Sequence, residues 1–145
     1  MKLAFRKLTI VLLTAALALL LGTAGAAGGQ QEIKMTLNGK QEVPPVETSA
    51  SGSGTITISS DGSVSGSITT SGVTSFAAHI HQGATGTNGP VIIPLVKTSD
   101  NVWTVPAGAK LTDAQYKSFL AGELYINVHS AAHKGGEIRG QINPK

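Results

Sequence analysis

Short stretches of alternating hydrophobic and polar residues recur along the chain, separated by Gly, Ser, Asn, Asp and Pro. Residues 33–37 (Ile-Lys-Met-Thr-Leu) and 55–59 (Thr-Ile-Thr-Ile-Ser) alternate cleanly. The turn residues 60–63 lead from the second stretch into residues 64–68, which predicts a β-hairpin. Further strands are predicted over 76–81, 91–95, 124–129 and 137–142. Short strands at this spacing predict an all-β fold, an antiparallel Greek-key-like β-sandwich or barrel.

One segment departs from this pattern and predicts a single short helix over about residues 112–121. Thr112 is placed as the N-cap, and Gln115, three residues on, is its capping-box partner. Gly122 supplies the stop signal. We therefore expect one short helix within the β domain.

The first residues have the pattern of an export signal. A positively charged start precedes an almost unbroken apolar run from Leu8 to Leu21, and Ala24 to Ala26 offer small residues for cleavage. This predicts a signal peptide over residues 1–26, a mature protein that is secreted or periplasmic, and no membrane span after cleavage. The alternative is a retained membrane anchor, for which the apolar run is short.

Removing the leader changes the charge of the chain. Three of the eleven Lys and Arg residues lie in it, which leaves eight against eight Asp and Glu. The remaining cations are scattered singly from Lys34 to Lys145, whereas a phosphate-binding surface needs them clustered. Nucleic acid is therefore not expected as a partner. Residues 27–145 are enough for a single domain.

The chain has no cysteine. Disulfides, thiol catalysis, thiolate metal sites and a lipoprotein anchor are therefore excluded, although an exported protein would permit disulfides. Stability has to come from an ordinary core, with a bound ion as one source of additional stability.

The histidines are the candidate chemistry. His79 and His81 flank Ile80 in a predicted strand, so both imidazoles point to the same face. The other two histidines, His129 and His133, lie near the C-terminus. A metal site requires the fold to bring His129 or His133 close to His79 and His81.

The last two predicted strands determine which way His129 points. Ile126 and Val128 alternate with polar residues, and pairing His129 with Glu137 in an antiparallel hairpin places both apolar sets on the core side. The opposite face would then be one polar surface. It would carry Tyr125, Asn127, His129, Glu137, Arg139 and Gln141.

These positions predict a metal site made of His79, His81 and His129. Neutral imidazoles suit copper and zinc, and three nitrogens leave an open position; copper is preferred to zinc here. Glu137 is a candidate fourth ligand or a residue that orients an imidazole, and His133, in a Gly-flanked loop, is a further candidate donor. The alternatives are solvated histidines on a polar face and a structural Glu137–Arg139 salt bridge.

Other motifs give little support to enzymatic chemistry. Residues 83–89 are rich in Gly but precede neither a helix nor a Lys, so they are interpreted as a turn rather than a phosphate site. Trp103 is interpreted as a core or loop anchor. No G-x-S-x-G sequence precedes a helix, so hydrolase chemistry is not indicated. A binding protein is favoured over an enzyme.

The span from Leu37 to Ile142 resembles the CHRD domain, the module named after chordin and also found singly in exported bacterial proteins. The resemblance implies a β-sandwich-like domain outside the cytoplasm, and it leaves the biochemical role open. It is carried by Leu37-Asn38-Gly39-Lys40-Gln41-Glu42-Val43-Pro44-Pro45, Ala78-His79-Ile80-His81-Gln82-Gly83, Gly89-Pro90-Val91, Leu111-Thr112, Tyr125-Ile126-Asn127-Val128-His129 and Gly135-Gly136-Glu137-Ile138-Arg139-Gly140-Gln141-Ile142.

A second similarity concerns the histidine strand alone. His-x-His on a strand followed by a Gly-rich loop is similar to the copper-binding strand of copper/zinc superoxide dismutases. Here the cysteine pair is missing, and residues 82–90 contain neither His nor Asp for a zinc half-site. Three hypotheses follow: a copper-binding or zinc-binding module, a metal-free module that binds an extracytoplasmic protein partner, and a superoxide dismutase-like copper enzyme.

Overall fold

The computed structural model describes residues 29–145, so the predicted signal peptide, residues 1–26, lies outside the described residues. The described part forms nine strands, a 3₁₀ turn and one α-helix. In chain order the elements are β1 (Gln30–Asn38), a 3₁₀ turn (Gly39–Gln41), β2 (Ser51–Ser59), β3 (Val64–Ser71), β4 (Ser75–Gln82), β5 (Val91–Pro94), β6 (Val96–Ser99), β7 (Val102–Thr104), α1 (Asp113–Leu120), β8 (Leu124–Ser130) and β9 (Ile138–Gln141).

The nine strands form one antiparallel sheet that nearly closes into a barrel. Its strand order is β5-β4-β8-β9-β1-β2-β3-β7-β6. The two edge strands, β5 and β6, are consecutive in the chain and separated only by Leu95. The sheet therefore curls until its edges meet at that residue, whose N–H still donates to the Ala78 carbonyl on β4 at 2.9 Å. The predicted all-β antiparallel fold is confirmed.

The inward-facing side chains fill the barrel with an aliphatic core. In β1, Ile33, Met35 and Leu37 are buried while the residues between them are exposed, as the alternation predicts. The helix α1 adds Phe119, which is fully buried. The other strands contribute Ile56, Ile58, Ile68, Ile80, Ile126, Val128 and Ile138.

The outer face of β8 is also buried, together with His81 on β4 and Arg139 on β9, and this corrects the predicted polar surface. Tyr125, Asn127 and Arg139 are only 1%, 2% and 2% exposed. The segments that follow β1 and β4 lie over this face and hydrogen-bond to it. We call the set His81, Asn127, His129, Arg139 and Glu42 the buried polar layer. Its members are all under a tenth exposed.

Most predicted elements are present with small shifts at their ends. The hairpin of β2 and β3 is confirmed, with Ile58 opposite Val64. The predicted antiparallel pairing of the last two strands is also confirmed, with Val128 opposite Ile138. The pairing ends there, and the Glu137 N–H donates to the Val128 carbonyl at 2.8 Å, so His129 and Glu137 are not themselves a strand pair. The predicted strand over 91–95 ends at Pro94, and that over 137–142 spans Ile138–Gln141.

The helix prediction is confirmed in detail. The Thr112 hydroxyl accepts from the Gln115 backbone N–H at 3.2 Å, and the Gln115 side chain accepts from the Thr112 N–H at 2.9 Å. Gly122 follows the helix with a φ of 74°, a conformation that glycine adopts readily. Within residues 29–145 no helix is long and apolar enough to cross a membrane.

Two strands were not predicted. β6 is exposed at all four positions, and β7 has three residues, so neither shows a hydrophobic alternation long enough to recognise. Trp103 lies at the centre of β7 and is buried, and its indole N–H donates to the Ser75 hydroxyl at 2.9 Å. The prediction of a core residue there is correct.

Candidate metal centre

Three of the four histidines converge on one place in the fold. The strand that carries His79 and His81, β4, pairs antiparallel with β8, which carries His129. The register places His79 opposite Asn127 and Ala77 opposite His129, so the three imidazoles share one face of neighbouring strands. Each residue offers a ring nitrogen, and these nitrogens lie within 4.8 Å of one another.

Backbone carbonyls fix the tautomers of two of the histidines. Nδ1 of His129 lies 2.8 Å from the Lys134 carbonyl oxygen, and Nδ1 of His81 lies 2.9 Å from the Gly89 carbonyl oxygen. A carbonyl oxygen only accepts hydrogen bonds, so each Nδ1 carries the proton and each Nε2 keeps a lone pair. Ligating histidines in metalloproteins are oriented in this way.

The third histidine, His79, contacts His129. Nδ1 of His79 lies 3.0 Å from Nε2 of His129. Because that Nε2 holds a lone pair, His79 donates to it from Nδ1 in the metal-free protein. If the His79 proton moves to its own Nε2, the other neutral tautomer, two nitrogen lone pairs face one ion. Two nitrogens bound to copper at about 2.0 to 2.1 Å and at right angles stand about 2.9 Å apart.

The largest distance between two nitrogens of the cluster determines how far they must move to bind one ion. Two nitrogens on opposite sides of one ion stand about 4.1 Å apart, given bonds of about 2.05 Å. The 4.8 Å limit on the cluster therefore calls for a contraction of less than an ångström. His79 is half-buried and can supply it, whereas His81 and His129 are each 8% exposed.

Burial favours the neutral form of two of the three histidines, His79 and His81. Desolvation lowers the pKa of His79, and the neighbouring His129 and His81 lower it further. Desolvation also lowers the pKa of His81, against the Gly89 hydrogen bond, which acts to raise it. Neutral imidazole is the form that ligates copper or zinc. Burial therefore favours, in His79 and His81, the form that can bind a cation.

Aromatic and guanidinium stacking hold His81 from the side. The imidazole of His81 stacks on the ring of Tyr125, with centroids 4.8 Å apart and planes 5° apart. The Arg139 guanidinium carbon lies 3.8 Å from the centroid of the same ring. Since β8 lies between β4 and β9 in the sheet, Tyr125 stands between the two groups. This three-layer stack limits rotation of the imidazole.

Arg139 ties the covering segments to the stack. Its Nε donates to Glu42 Oε2 at 3.1 Å, and one terminal nitrogen donates to the Thr87 carbonyl at 2.8 Å. The other terminal nitrogen donates to Asn88 Oδ1. Gly89, next in the chain, supplies the carbonyl that orients His81. The guanidinium therefore anchors the loop that fixes the tautomer of a candidate ligand.

The family profile of the CHRD domain matches residues 33–142. The chain belongs to the CHRD domain family. The matched span contains all three clustered histidines, their carbonyl partners and Arg139. No curated protein and no solved structure matches the chain significantly. The resemblance drawn from the sequence motifs is thus confirmed, and the role of the histidines rests on the geometry of this CHRD domain.

Two other candidate residues lie outside the histidine group of the CHRD domain. Among residues 29–145, the clustered ligand atoms come from His79, His81 and His129, without Glu137 or His133. Glu137 accepts from the Thr48 hydroxyl at 2.7 Å. Burial acts to raise the pKa of Glu137, but hydrogen bonds from Ser130 and Thr48 hold it below its usual value.

His133 and the predicted salt bridge also differ from expectation. His133 lies in the loop between β8 and β9, where its backbone N–H donates to the Ser130 side chain at 3.2 Å. Arg139 pairs with Glu42 rather than with Glu137, because Glu42 lies over the outer face of β9. The structural salt bridge exists with a different carboxylate.

The sequence alone indicated no role for Glu42 or Lys134, and for Gly89 only that of a turn residue. Glu42 comes from a Pro-containing segment that shows no periodicity, and the other two act through backbone carbonyls that every residue possesses. The sequence feature that could have indicated these contacts is the Gly-rich loop itself. A loop placed directly after a His-x-His strand can fold back over it.

Proposed function

We propose that this CHRD domain binds one transition-metal ion through His79, His81 and His129, with copper preferred to zinc. The observation that supports it best is the pair of backbone hydrogen bonds to Nδ1 of His81 and His129, which leave both Nε2 lone pairs available within one cluster. A solvated histidine on a polar face would have no reason to be fixed in this way.

The preference for copper comes from the donor set. Three imidazoles without thiolate or carboxylate form an intermediate site, for which Cu²⁺ binds more tightly than Zn²⁺ in the usual order of divalent affinities. A structural zinc site would complete a tetrahedron with protein ligands. Neither Glu137 nor His133 joins the group within the described residues.

Equilibrium dialysis of the mature protein against Cu²⁺ or Zn²⁺, followed by elemental analysis, tests the proposal. We expect one copper per chain and weaker retention of zinc. His79→Ala, His81→Ala and His129→Ala combined should abolish uptake, while His133→Ala, the matched control outside the cluster, should retain it. Equal copper uptake by the triple variant and the native protein would show that the ion lies elsewhere.

We also propose that the domain functions outside the cytoplasm, secreted or periplasmic, because of its predicted signal peptide. The absence of cysteine is compatible with either redox environment. Fractionation of expressing cells together with N-terminal sequencing should find a mature chain that begins after Ala26. Retention of an intact N-terminus on the membrane would support an anchor instead.

A metal-free interaction module is the alternative that a surface feature favours. Phe76 is 59% exposed, and its ring lies 6.3 Å from that of His129. Such a ring can anchor a partner protein. A pull-down of one partner that survives a chelator and is lost in Phe76→Ser would support this module.

A superoxide dismutase-like activity would require copper bound at the histidine cluster. If the copper-loaded protein does not dismutate superoxide, this alternative is rejected.

A further inference from the structure

Buried acceptor atoms without a donor lie next to the histidine cluster. They are His81 Nε2, Asn127 Oδ1 and Glu42 Oε1, each on a residue of the buried polar layer. An unpaired polar atom in such a place destabilises the folded protein. Three acceptors close together therefore indicate a ligand that brings positive charge and hydrogens.

The three residues are neighbours. The Asn127 side chain lies beside both His81 and Glu42. Its Nδ2 donates to the Gly135 carbonyl at 3.3 Å, which fixes the amide so that Oδ1 is the free end. A methyl group on Gly136 would overlap both Glu42 Oε1 and Asn127 Nδ2, so both atoms lie above that glycine, without a hydrogen bond between them. Asn127 thus connects the imidazole to the carboxylate.

The ion pair with Arg139 leaves Glu42 half satisfied. The guanidinium Nε donates to Oε2, and the two terminal nitrogens are taken by Thr87 and Asn88. Each terminal nitrogen has a second N–H, but none of them bonds to Oε1. The carboxylate is therefore held in a fixed orientation with one oxygen free.

The chemistry of these acceptors matches a water molecule bound to an ion. His81 Nε2 can bind the ion directly, whereas amide and carboxylate oxygens accept hydrogens, of which one water has two. We propose that an ion held by the three histidines carries one water ligand, which donates to Asn127 Oδ1 and Glu42 Oε1. This rests on the proposed function. It makes the centre a site with an exchangeable ligand rather than a closed one.

The first test counts exchangeable protons in the native protein. Pulsed electron–nuclear double resonance on the Cu²⁺ form, in H₂O and in D₂O, should reveal strongly coupled protons that exchange. If copper binds at the histidines without them, the water proposal is overturned and the metal proposal stands. If the protein takes up no copper, the proposed function fails and this inference fails with it.

The second test uses matched carboxylates. Glu42→Gln removes the negative charge beside the water, so azide should replace the water at least several-fold more tightly than in the native copper form. Glu137→Gln changes another buried carboxylate, 8% exposed against 3% for Glu42, that lies outside the cluster, and it should leave azide affinity unchanged. An equal response in both variants, or none in Glu42→Gln, would contradict the assignment of Glu42.

Asn127→Leu provides an independent variant. Loss of the amide oxygen should reduce copper affinity by about 10–100-fold, the usual effect of removing a group that supports a metal ligand, and should weaken the coupling of the exchangeable protons. Retention of the native proton coupling in folded Asn127→Leu would show that the water does not bond to the amide.

Discussion

At the scale of single residues, Arg139 connects more groups of the site than any other side chain described above. It is 2% exposed, and its contacts reach Glu42, the loop after β4 and the Tyr125 ring. Burial raises the pKa of Glu42, and the Arg139 charge opposes that effect. The arginine thus favours the ionised form of a buried carboxylate, against the effect of burial.

Arg139→Met should destabilise the protein strongly, because it leaves Glu42 buried without a partner. We expect the free energy of unfolding to fall by about 3–5 kcal/mol in urea titrations. Glu42→Met in the same chain should recover part of this loss, but not all, since the bonds to Thr87 and Asn88 stay missing. A double variant no more stable than Arg139→Met would contradict the pairing.

The histidines predict a pH dependence of stability in the metal-free protein. Burial lowers the pKa of His79 and His81, while in the unfolded chain they titrate near about 6.5. Below that pH the unfolded chain takes up protons that the folded chain does not. The free energy of unfolding is therefore fully retained above about pH 6.5 and decreases as the pH falls below it.

The raised pKa of Glu42 increases stability as the pH falls and so opposes the effect of the histidines. A comparison of His81→Gln with the native protein separates the two effects, because both proteins keep Glu42. Urea titrations between about pH 7.5 and 6 should show a smaller decrease for the variant than for the native protein. The same slope in both proteins would show that His81 does not contribute.

At residue scale, the sequence predicted the histidines but not their environment. The period of a strand places His79, His81 and His129 on outward faces, and that is correct. It does not tell whether an outward face meets water. Here Glu42 and the Thr87–Gly89 loop cover it, and the paths of such segments depend on tertiary contacts such as those of Arg139.

At the scale of elements, the loop after β4 positions the centre as much as the strands do. Gly89 provides its carbonyl to His81, and its N–H donates to the Tyr125 hydroxyl at 3.2 Å. A Cβ at this position would overlap the Gln82 carbonyl, so only glycine fits. Close packing against Gln82 therefore requires glycine at position 89.

Gly89→Ala should displace the loop and release the His81 ring. Copper affinity should drop by about 10–100-fold in competition titrations with a chromophoric chelator. Thr85→Ala, an exposed change in the same loop, is the control and should bind like the native protein. A folded Gly89→Ala protein with native affinity would show that the carbonyl is not needed.

The elements differ in how clearly the local sequence predicts them. The helix has both halves of a capping box, and β2 and β3 have clean alternation with a turn between them. β6 is polar and exposed along its length, and it becomes a strand only because β7 offers it a partner. Pairing of that kind cannot be derived from a local pattern.

At the scale of the whole molecule, the sheet places the histidines beside the C-terminal hairpin. β4 is second from one end of the strand order, with β8 on its inner side, and β9 and then β1 follow β8. This order brings residues 79 and 129 together across the long connection from β4 to β8. The centre is therefore a product of topology.

Binding of an ion should stabilise the whole fold, because the unfolded chain has no preformed site. At a free concentration 100 times the Kd, copper should add about 2.7 kcal/mol. For a domain of this size the Tm should rise by on the order of 10 °C. Differential scanning calorimetry should show the rise in the native protein and its absence in the triple alanine variant. A similar rise in both would indicate binding away from the histidines.

X-ray absorption at the copper edge of the loaded protein is the most direct test of the metal centre. The structure predicts three imidazole nitrogens at about 2.0 to 2.1 Å with the multiple-scattering pattern of histidine. His129→Ala should remove one of the three, and His133→Ala none. A native spectrum with one imidazole, or one that does not change when His129 is replaced, would contradict a centre built from these strands.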